Sequence, residues 1–207
     1  MKALITAGGT SERIDAVRMI TNNSTGRLGL EIANAFFAQG ADVFYVAGKN
    51  AARPSFGQIY DVLGVLDAQR AIEEILTNNK IDAIIHAMAV SDYFIKNPAQ
   101  GKISSEIDEI TITLTKAPKI IANLRKLAPD ALIIGFKLLS DVSEDELINV
   151  GHSLLKKHSL DYVLANDAKA IDASDHKGFL IDENKNFETF IGKTEIAKGI
   201  VNSCLKK

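Results

Sequence analysis

A chain of 207 residues, 46% hydrophobic and 24% charged, has the composition of an ordinary soluble globular protein and the length to bury a sizeable α/β core. A formal charge of −2 excludes the global basic field of a nucleic-acid or membrane-surface binder, so any anion site must be local. No apolar run approaches a membrane span and no cleavable leader follows Lys2, which together point to the cytoplasm.

In chain order, the apolar run 3–6 reads as a buried strand that enters Ala7-Gly8-Gly9-Thr10. Residues 11–21 are spliced in before a second small-residue segment, Asn22-Asn23-Ser24-Thr25-Gly26-Arg27-Leu28-Gly29. An ordinary dinucleotide fingerprint has no such insertion, and a long loop at this position reads as a working part. A helix over 26–39 places Leu28, Ile32, Ala35 and Phe36 on one face and stops at Gly40. Strands follow at 43–47, 81–87, 131–136 and 162–165. Asp67 caps a helix through Leu76, and Ser143, with Glu146 three residues on, caps one through Lys157.

Two stretches break the alternation. Residues 92–102 form a long loop, followed by a half-exposed strand in the alternating 110–114, and 178–191 reads as a hairpin turning at 182–186. The expected fold is a doubly wound, Rossmann-like α/β domain over 1–207, mostly parallel, with a small antiparallel extension. The single cysteine, Cys204, excludes an intramolecular disulfide and reads as a small apolar residue of the last helix.

Ligands of open parallel sheets sit beyond the carboxyl ends of the strands, so the loops 8–26, 86–102 and 136–140 and the turn at Gly48 should converge. Gly8, Gly9, Gly26 and Gly29 suit backbone donation to an anion, or else close packing. Arg18 can grip a phosphate or carboxylate in two places, and Asn22 can donate and accept; a surface ion pair and a turn are the alternatives. Asp92, at a strand end, suits a nucleotide amine, a ribose or a metal, or a cap. Lys102, after Gly101, suits a cation that closes over phosphates. Asn166-Asp167 reads as a turn and His86 as a core histidine, while His152, His158 and His176 lack metal-ligand spacing.

Two general readings compete at this point, a nicotinamide-dependent oxidoreductase and a nucleotide-sensing module. Against the first, Gly48-Lys49-Asn50 lacks the acid that takes an adenosine ribose, and Tyr93 and Lys96 stand three apart rather than the four of a reductase pair. The second leaves the Lys102 loop without a chemical task.

The run Gly8-Gly9-Thr10-x-Glu12-x-Ile14-Asp15-x-Val17-Arg18-x-Ile20-x-Asn22-x-Ser24-x-Gly26-x-x-Gly29 resembles the leading signature of the phosphopantothenate–cysteine ligases. The likeness continues through Ala89-Val90-Ser91-Asp92-Tyr93, Lys102-Ile103, Lys116-Ala117-Pro118, Gly135-Phe136 and Ala165-Asn166-Asp167, over nearly the whole chain. A start directly at this signature is similar to the free-standing bacterial form.

That resemblance implies ligation of cysteine to (R)-4′-phosphopantothenate through an acyl-nucleotidylate, in coenzyme A biosynthesis. It implies CTP as co-substrate in preference to ATP, Mg²⁺ with the triphosphate and no assigned protein ligand for it, and a homodimer. By position it implies catalytic roles for Asn22, Lys102 and Arg18. Nucleotide contacts would come from Gly8, Gly9, Ala89, Asp92, Lys102 and Phe136, and substrate contacts from Asn22, Ser24 and Gly26. The chain departs from the family pattern at Lys102-Ile103-Ser104-Ser105, at Lys137-Leu138-Leu139-Ser140, and around Leu154 and His158, where triphosphate contacts are expected.

Overall fold

Apolar runs covered on both faces become neighbouring parallel strands. The computed structural model describes residues 1–170 and 176–206. In chain order its elements are β1 (Lys2–Ala7), β2 (Ser11–Arg13), β3 (Met19–Thr21), α1 (Arg27–Ala38), β4 (Asp42–Gly48), β5 (Gln58–Val62), α2 (Val65–Asn78) and β6 (Ala83–His86). These are followed by β7 (Tyr93–Ile95), β8 (Leu114–Lys116), α3 (Ile121–Leu127), β9 (Leu132–Leu139), α4 (Glu144–His158), β10 (Tyr162–Asp167), β11 (Lys177–Ile181), β12 (Phe187–Ile191) and α5 (Lys193–Leu205).

The main sheet has the order β12-β11-β10-β9-β6-β1-β4-β5. Strands β10 to β5 in that order are parallel, whereas β11 and β12 each run antiparallel to the strand before. Successive residues of a strand point to opposite faces, so Ile5, Tyr45 and Ile85 enter one core with Ile32, Phe36 and Ile200 of α1 and α5. Their neighbours Leu4, Phe44 and Ile84 enter the other with Ile72, Leu124 and Leu155 of α2, α3 and α4. Burial of each such large side chain stabilises the fold by roughly 1.5–3 kcal/mol.

The doubly wound sheet and its antiparallel extension through β11 and β12 are as expected. Gly40 ends α1 in the left-handed region at φ 74, and the Ser143 hydroxyl accepts from Glu146 N–H at 3.2 Å at the start of α4. Several local expectations are corrected. Helix α2 begins at Val65, ahead of Asp67, because its first N–H groups find remote or downstream acceptors: Glu12 Oε1 takes Val65 N–H at 2.8 Å, and Asp67 Oδ2 takes Gly64 N–H at 3.2 Å. The insertion 11–21 contains the hairpin β2–β3, and β5 adds an edge to the sheet.

Of the alternating stretch 110–114 only Leu114 lies in a strand. That strand, β8, pairs with β7 from within the expected loop and not with the main sheet. Residues 110–113 are all exposed, so the alternation has no buried face in this chain to fix its register.

The two reversals at β11 and β12 restore the direction of the parallel strands. Helix α5 therefore starts at the same edge of the sheet as α1, and the two helices pack side by side.

Candidate active site

A cavity of about 850 Å³ opens at that edge. Its walls are residues 22–29 leading into α1, residues 86–92 after β6, residues 119–121 before α3, and Phe136, Lys137 and Leu138 of β9. Leu154, Asn166, His176 and Lys193 complete the lining. Of the ten residues given a role by the family resemblance, six meet here: Asn22, Ser24, Gly26, Ala89, Asp92 and Phe136.

Backbone close to the cavity is tied together around one carbonyl. Ala89 O accepts from Thr10 N–H at 3.2 Å and from Asn22 Nδ2 at 3.0 Å, while Ala89 N–H donates to Gly8 O at 2.8 Å. Thr10 Oγ1 accepts Ser91 N–H at 2.9 Å and lies 2.8 Å from Ser91 Oγ. Asn22 thus spends one amide hydrogen on Ala89, while its second amide hydrogen and its side-chain carbonyl oxygen make no hydrogen bond among the described residues.

Gly8 and Gly9 line no part of the cavity. Both are buried, and a Cβ on Gly8, which sits at φ 79, would stand 2.6 Å from Ala51 Cβ. Nor does the turn at Gly48 reach the cavity, contrary to expectation. It packs under the glycine turn, where a Cβ on Gly48 would meet Gly9 O at 2.3 Å. Arg18 and Lys102 also lie outside the lining; the segment around each is bound to the other through Asp15.

Among the described residues the lining carries Arg27, Lys119, Lys137 and Lys193 against a single carboxylate, Asp92, which ion-pairs with Lys119. Arg27 and Lys193 open α1 and α5 behind glycines without side-chain caps. A cation at a helix N-terminus opposes the macrodipole, so both starts add positive potential to one space. Lys119 directly follows the quoted Lys116-Ala117-Pro118 and Lys137 the quoted Gly135-Phe136, but nothing local marks Lys193. Lys193 arrives through the topology.

Two histidines face the cavity in neutral form. His86 is buried with Nδ1 3.0 Å from Thr6 Oγ1, and burial pushes its pKa down to about 4. It is a core histidine, as read from the sequence, and a wall residue as well. Asn166 Nδ2 donates to His176 Nε2 at 3.2 Å, which places the ring hydrogen on Nδ1, where it has no partner among the described residues. Burial, and then the charge of Lys193, hold the His176 pKa down at about 4.

An open parallel sheet whose carboxyl edge carries a cation-lined cavity beside a glycine-led helix start defines a Rossmann-like α/β protein suited to a phosphorylated ligand. Residues 1–207 match the DNA/pantothenate metabolism flavoprotein C-terminal domain, and the chain belongs to that family. It is similar to the coenzyme A biosynthesis bifunctional protein CoaBC of Thermococcus kodakarensis, with 37% identity over 182 residues covering 87% of this chain and 44% of that protein. Its fold is that of the DNA/pantothenate metabolism flavoprotein from Streptococcus pneumoniae, at TM-score 0.91 and 33% identity over 100% of this chain and 99% of that one. The C-terminal domain of a CoaBC protein superposes at TM-score 0.80 with 25% identity, over 98% and 92% of the two chains. The chain spans about half the length of the curated relatives it matches. The family resemblance read from residues 8–29 onward agrees with these matches. No helix among the described residues is long and apolar enough to cross a membrane.

The histidines make stability depend on pH. Both have folded pKa values near 4, below the ordinary 6.5, so between these values the unfolded chain binds more protons. Their contribution is complete above pH 6.5 and declines as pH falls towards about 4. The thermal midpoint should fall across that window, and less steeply in His86→Gln than in the parent. An identical slope in the two proteins would remove His86 as a cause.

Proposed function

We propose that this chain ligates cysteine to (R)-4′-phosphopantothenate through an acyl-nucleotidylate, with CTP as the activating triphosphate. The observation that carries this reading is the meeting of Asn22, Ser24, Gly26, Ala89, Asp92 and Phe136 around one cation-lined cavity. It is supported by the motif resemblance and by relatives named for coenzyme A biosynthesis.

In the first step a carboxylate oxygen of phosphopantothenate bonds to the α-phosphorus as the bond from that phosphorus to pyrophosphate breaks. In the second, the amine nitrogen of cysteine bonds to the acyl carbon, the acyl–oxygen bond breaks, and nucleoside monophosphate leaves while the amine gives up a proton to water. Both steps need positioned anions more than a covalent enzyme intermediate.

The N–H groups of the first turn of α1 have no intrahelical partners, so with Ser24 and Gly26 they form a seat for phosphate oxygens. Asn22 steadies the mixed anhydride through the amide groups Ala89 leaves open. Asp92 meets sugar or base and Phe136 packs beside it. Lys102 compensates triphosphate charge, and Arg18 supports its loop. Mg²⁺, bound with the triphosphate, offsets phosphate charge. Among the described residues Asp92 is the one carboxylate of the lining, and in this reading the ion is carried mainly by phosphates.

The protein acts as a homodimer in this reading. Tyr93, Ile107, Ile110, Ile112 and Leu114 are all exposed on or beside the β7–β8 ribbon, whose edges stand clear of the main sheet. Exposed apolar strand edges of this kind are covered by association. Light scattering should give twice the chain mass, and Ile110→Asp with Ile112→Asp should give the monomer. A monomeric parent protein would overturn the dimer.

The deciding assay supplies phosphopantothenate, cysteine and Mg²⁺ with each triphosphate separately. Amide product should appear with release of pyrophosphate and nucleoside monophosphate, faster with CTP than with ATP at subsaturating concentration. Equal turnover would remove the CTP preference. No product with any triphosphate, together with NADH or NADPH oxidation on a carbonyl substrate, would replace the ligase reading with the oxidoreductase one.

Two variants separate the steps. Asn22→Asp sets a carboxylate beside an anionic intermediate and loses the amide donor, so overall ligation should fall about a hundredfold while nucleotide still binds. Lys102→Gln should act earlier, slowing single-turnover pyrophosphate release by about a hundredfold without cysteine present. Near-normal amide formation by folded Asn22→Asp, or parental pyrophosphate release by folded Lys102→Gln, would show that residue to be misassigned.

A further inference from the structure

Asp15 is a charged residue in an unusual place: it is 1% exposed, at the tip of the β2–β3 insertion, and lies outside the cavity lining. Its carboxylate is fully engaged. Oδ1 accepts Val17 N–H at 2.8 Å and Arg18 N–H at 2.7 Å, and Oδ2 accepts Arg18 Nη1 at 2.5 Å. The remaining donor comes from 88 residues away, Ile103 N–H at 3.1 Å from Oδ2.

Those bonds bracket Lys102. On its far side Arg18 Nη1 also donates to Ile103 O at 3.2 Å, and on its near side Ala16 N–H donates to Gly101 O at 3.5 Å. Both chain neighbours of Lys102 are therefore held by residues 15–18. Lys102 itself is exposed and enters no ion pair among the described residues.

We propose that Asp15 is a positioning residue for Lys102, a buried carboxylate that locks the Gly101–Ile103 backbone to the insertion so that the lysine is presented from a fixed base. This rests on the reading of Lys102 as the cation that compensates triphosphate charge. An ionised aspartate suits the task because it accepts from four N–H groups at once and has no hydrogen to set against them. Burial alone would raise its pKa, but the bonds from Val17, Ile103 and Arg18 hold it at about 2. The carboxylate is therefore ionised, and the clamp intact, at neutral pH. Substitution by asparagine keeps the shape, removes the charge and turns one oxygen into a donor facing other donors.

The test has two arms, with circular dichroism confirming folding. In limited trypsinolysis, Asp15→Asn should raise cleavage after Lys102 about fivefold relative to cleavage after the remote Lys49, as local opening of the clamp requires. In single-turnover pyrophosphate release, Asp15→Asn should be slower by about tenfold or more, yet cost less than about twofold when added to Lys102→Gln, since a residue acting through another shows no separate effect. A purely structural aspartate would multiply the defect of Lys102→Gln instead. Ile103→Pro, which deletes the Ile103 N–H donor and leaves the insertion untouched, should also slow release about tenfold and serves if Asp15→Asn does not fold.

Unchanged cleavage after Lys102, or equal losses from Asp15→Asn with and without Lys102→Gln, would overturn the proposal. Parental release by Lys102→Gln alone would instead overturn the reading of Lys102, while the cleavage arm still reports whether the clamp exists.

Discussion

Close backbone contact at the carboxyl end of β1 is the constraint on which the cavity depends. A Cβ at Gly9 would stand 2.6 Å from Asn22 O, one at Gly26 would stand 2.9 Å from Ala51 Cβ, and one at Gly29 would stand 2.5 Å from Ala7 Cβ. The chain leaving the insertion is thus pressed onto the turn from which the insertion departs. Because the contacts are with a backbone oxygen and with alanine Cβ atoms, no rotamer change can relieve an added methyl group; the backbone itself would have to move. That segment carries Asn22, Ser24 and the start of α1, so the glycines act on the site by fixing where other residues stand.

The electrostatics follow from the same geometry. A chain with formal charge −2 gathers Arg27, Lys119, Lys137 and Lys193 into one cavity, and two of these open helices where a cation is unfavourable. Sites of this kind sacrifice some stability in the empty protein for a strong response to a polyanion. The neutral His86 and His176 fit that field. A protonated imidazole in the wall would add to the repulsion, and burial keeps both rings uncharged.

The sheet was legible because its central strands are continuous apolar runs, a signal set by burial on both faces. Strand β5, with Gln58, Ile59 and Asp61 exposed, carries no such signal, and α3 follows Ile120 without a side-chain cap to announce it. In the site, Asn22, Asp92 and Phe136 were legible as residue types at strand ends or in a recognisable signature. Lys193 and His176 were not, since their place depends on β11 and β12 reversing the chain twice. The glycines were legible as a set, but sequence did not distinguish backbone donation from packing, and Gly8 and Gly9 turn out to be buried. Their spacing is compatible with either task, and only the position of Ala51 and Asn22 shows the close packing.

The insertion then has a physical rationale. A phosphate turn alone supplies fixed N–H donors close to the sheet, whereas charge compensation further out needs a cation that no strand end can carry. In the proposed reading the loop that carries Lys102 supplies it, and a loop backbone exposed to water would ordinarily sample many conformations at a large entropic cost to any one of them. The Asp15–Arg18 pair offsets that cost locally. A half-buried ion pair contributes little net stability once desolvation is counted, but its buried carboxylate has few alternative partners and strict geometry, so its effect falls mainly on which conformation is adopted. With one carboxylate serving Val17, Arg18 and Ile103, the two loops outside the cavity behave as one unit, and the order imposed on the glycine turn by packing is extended outward by hydrogen bonds.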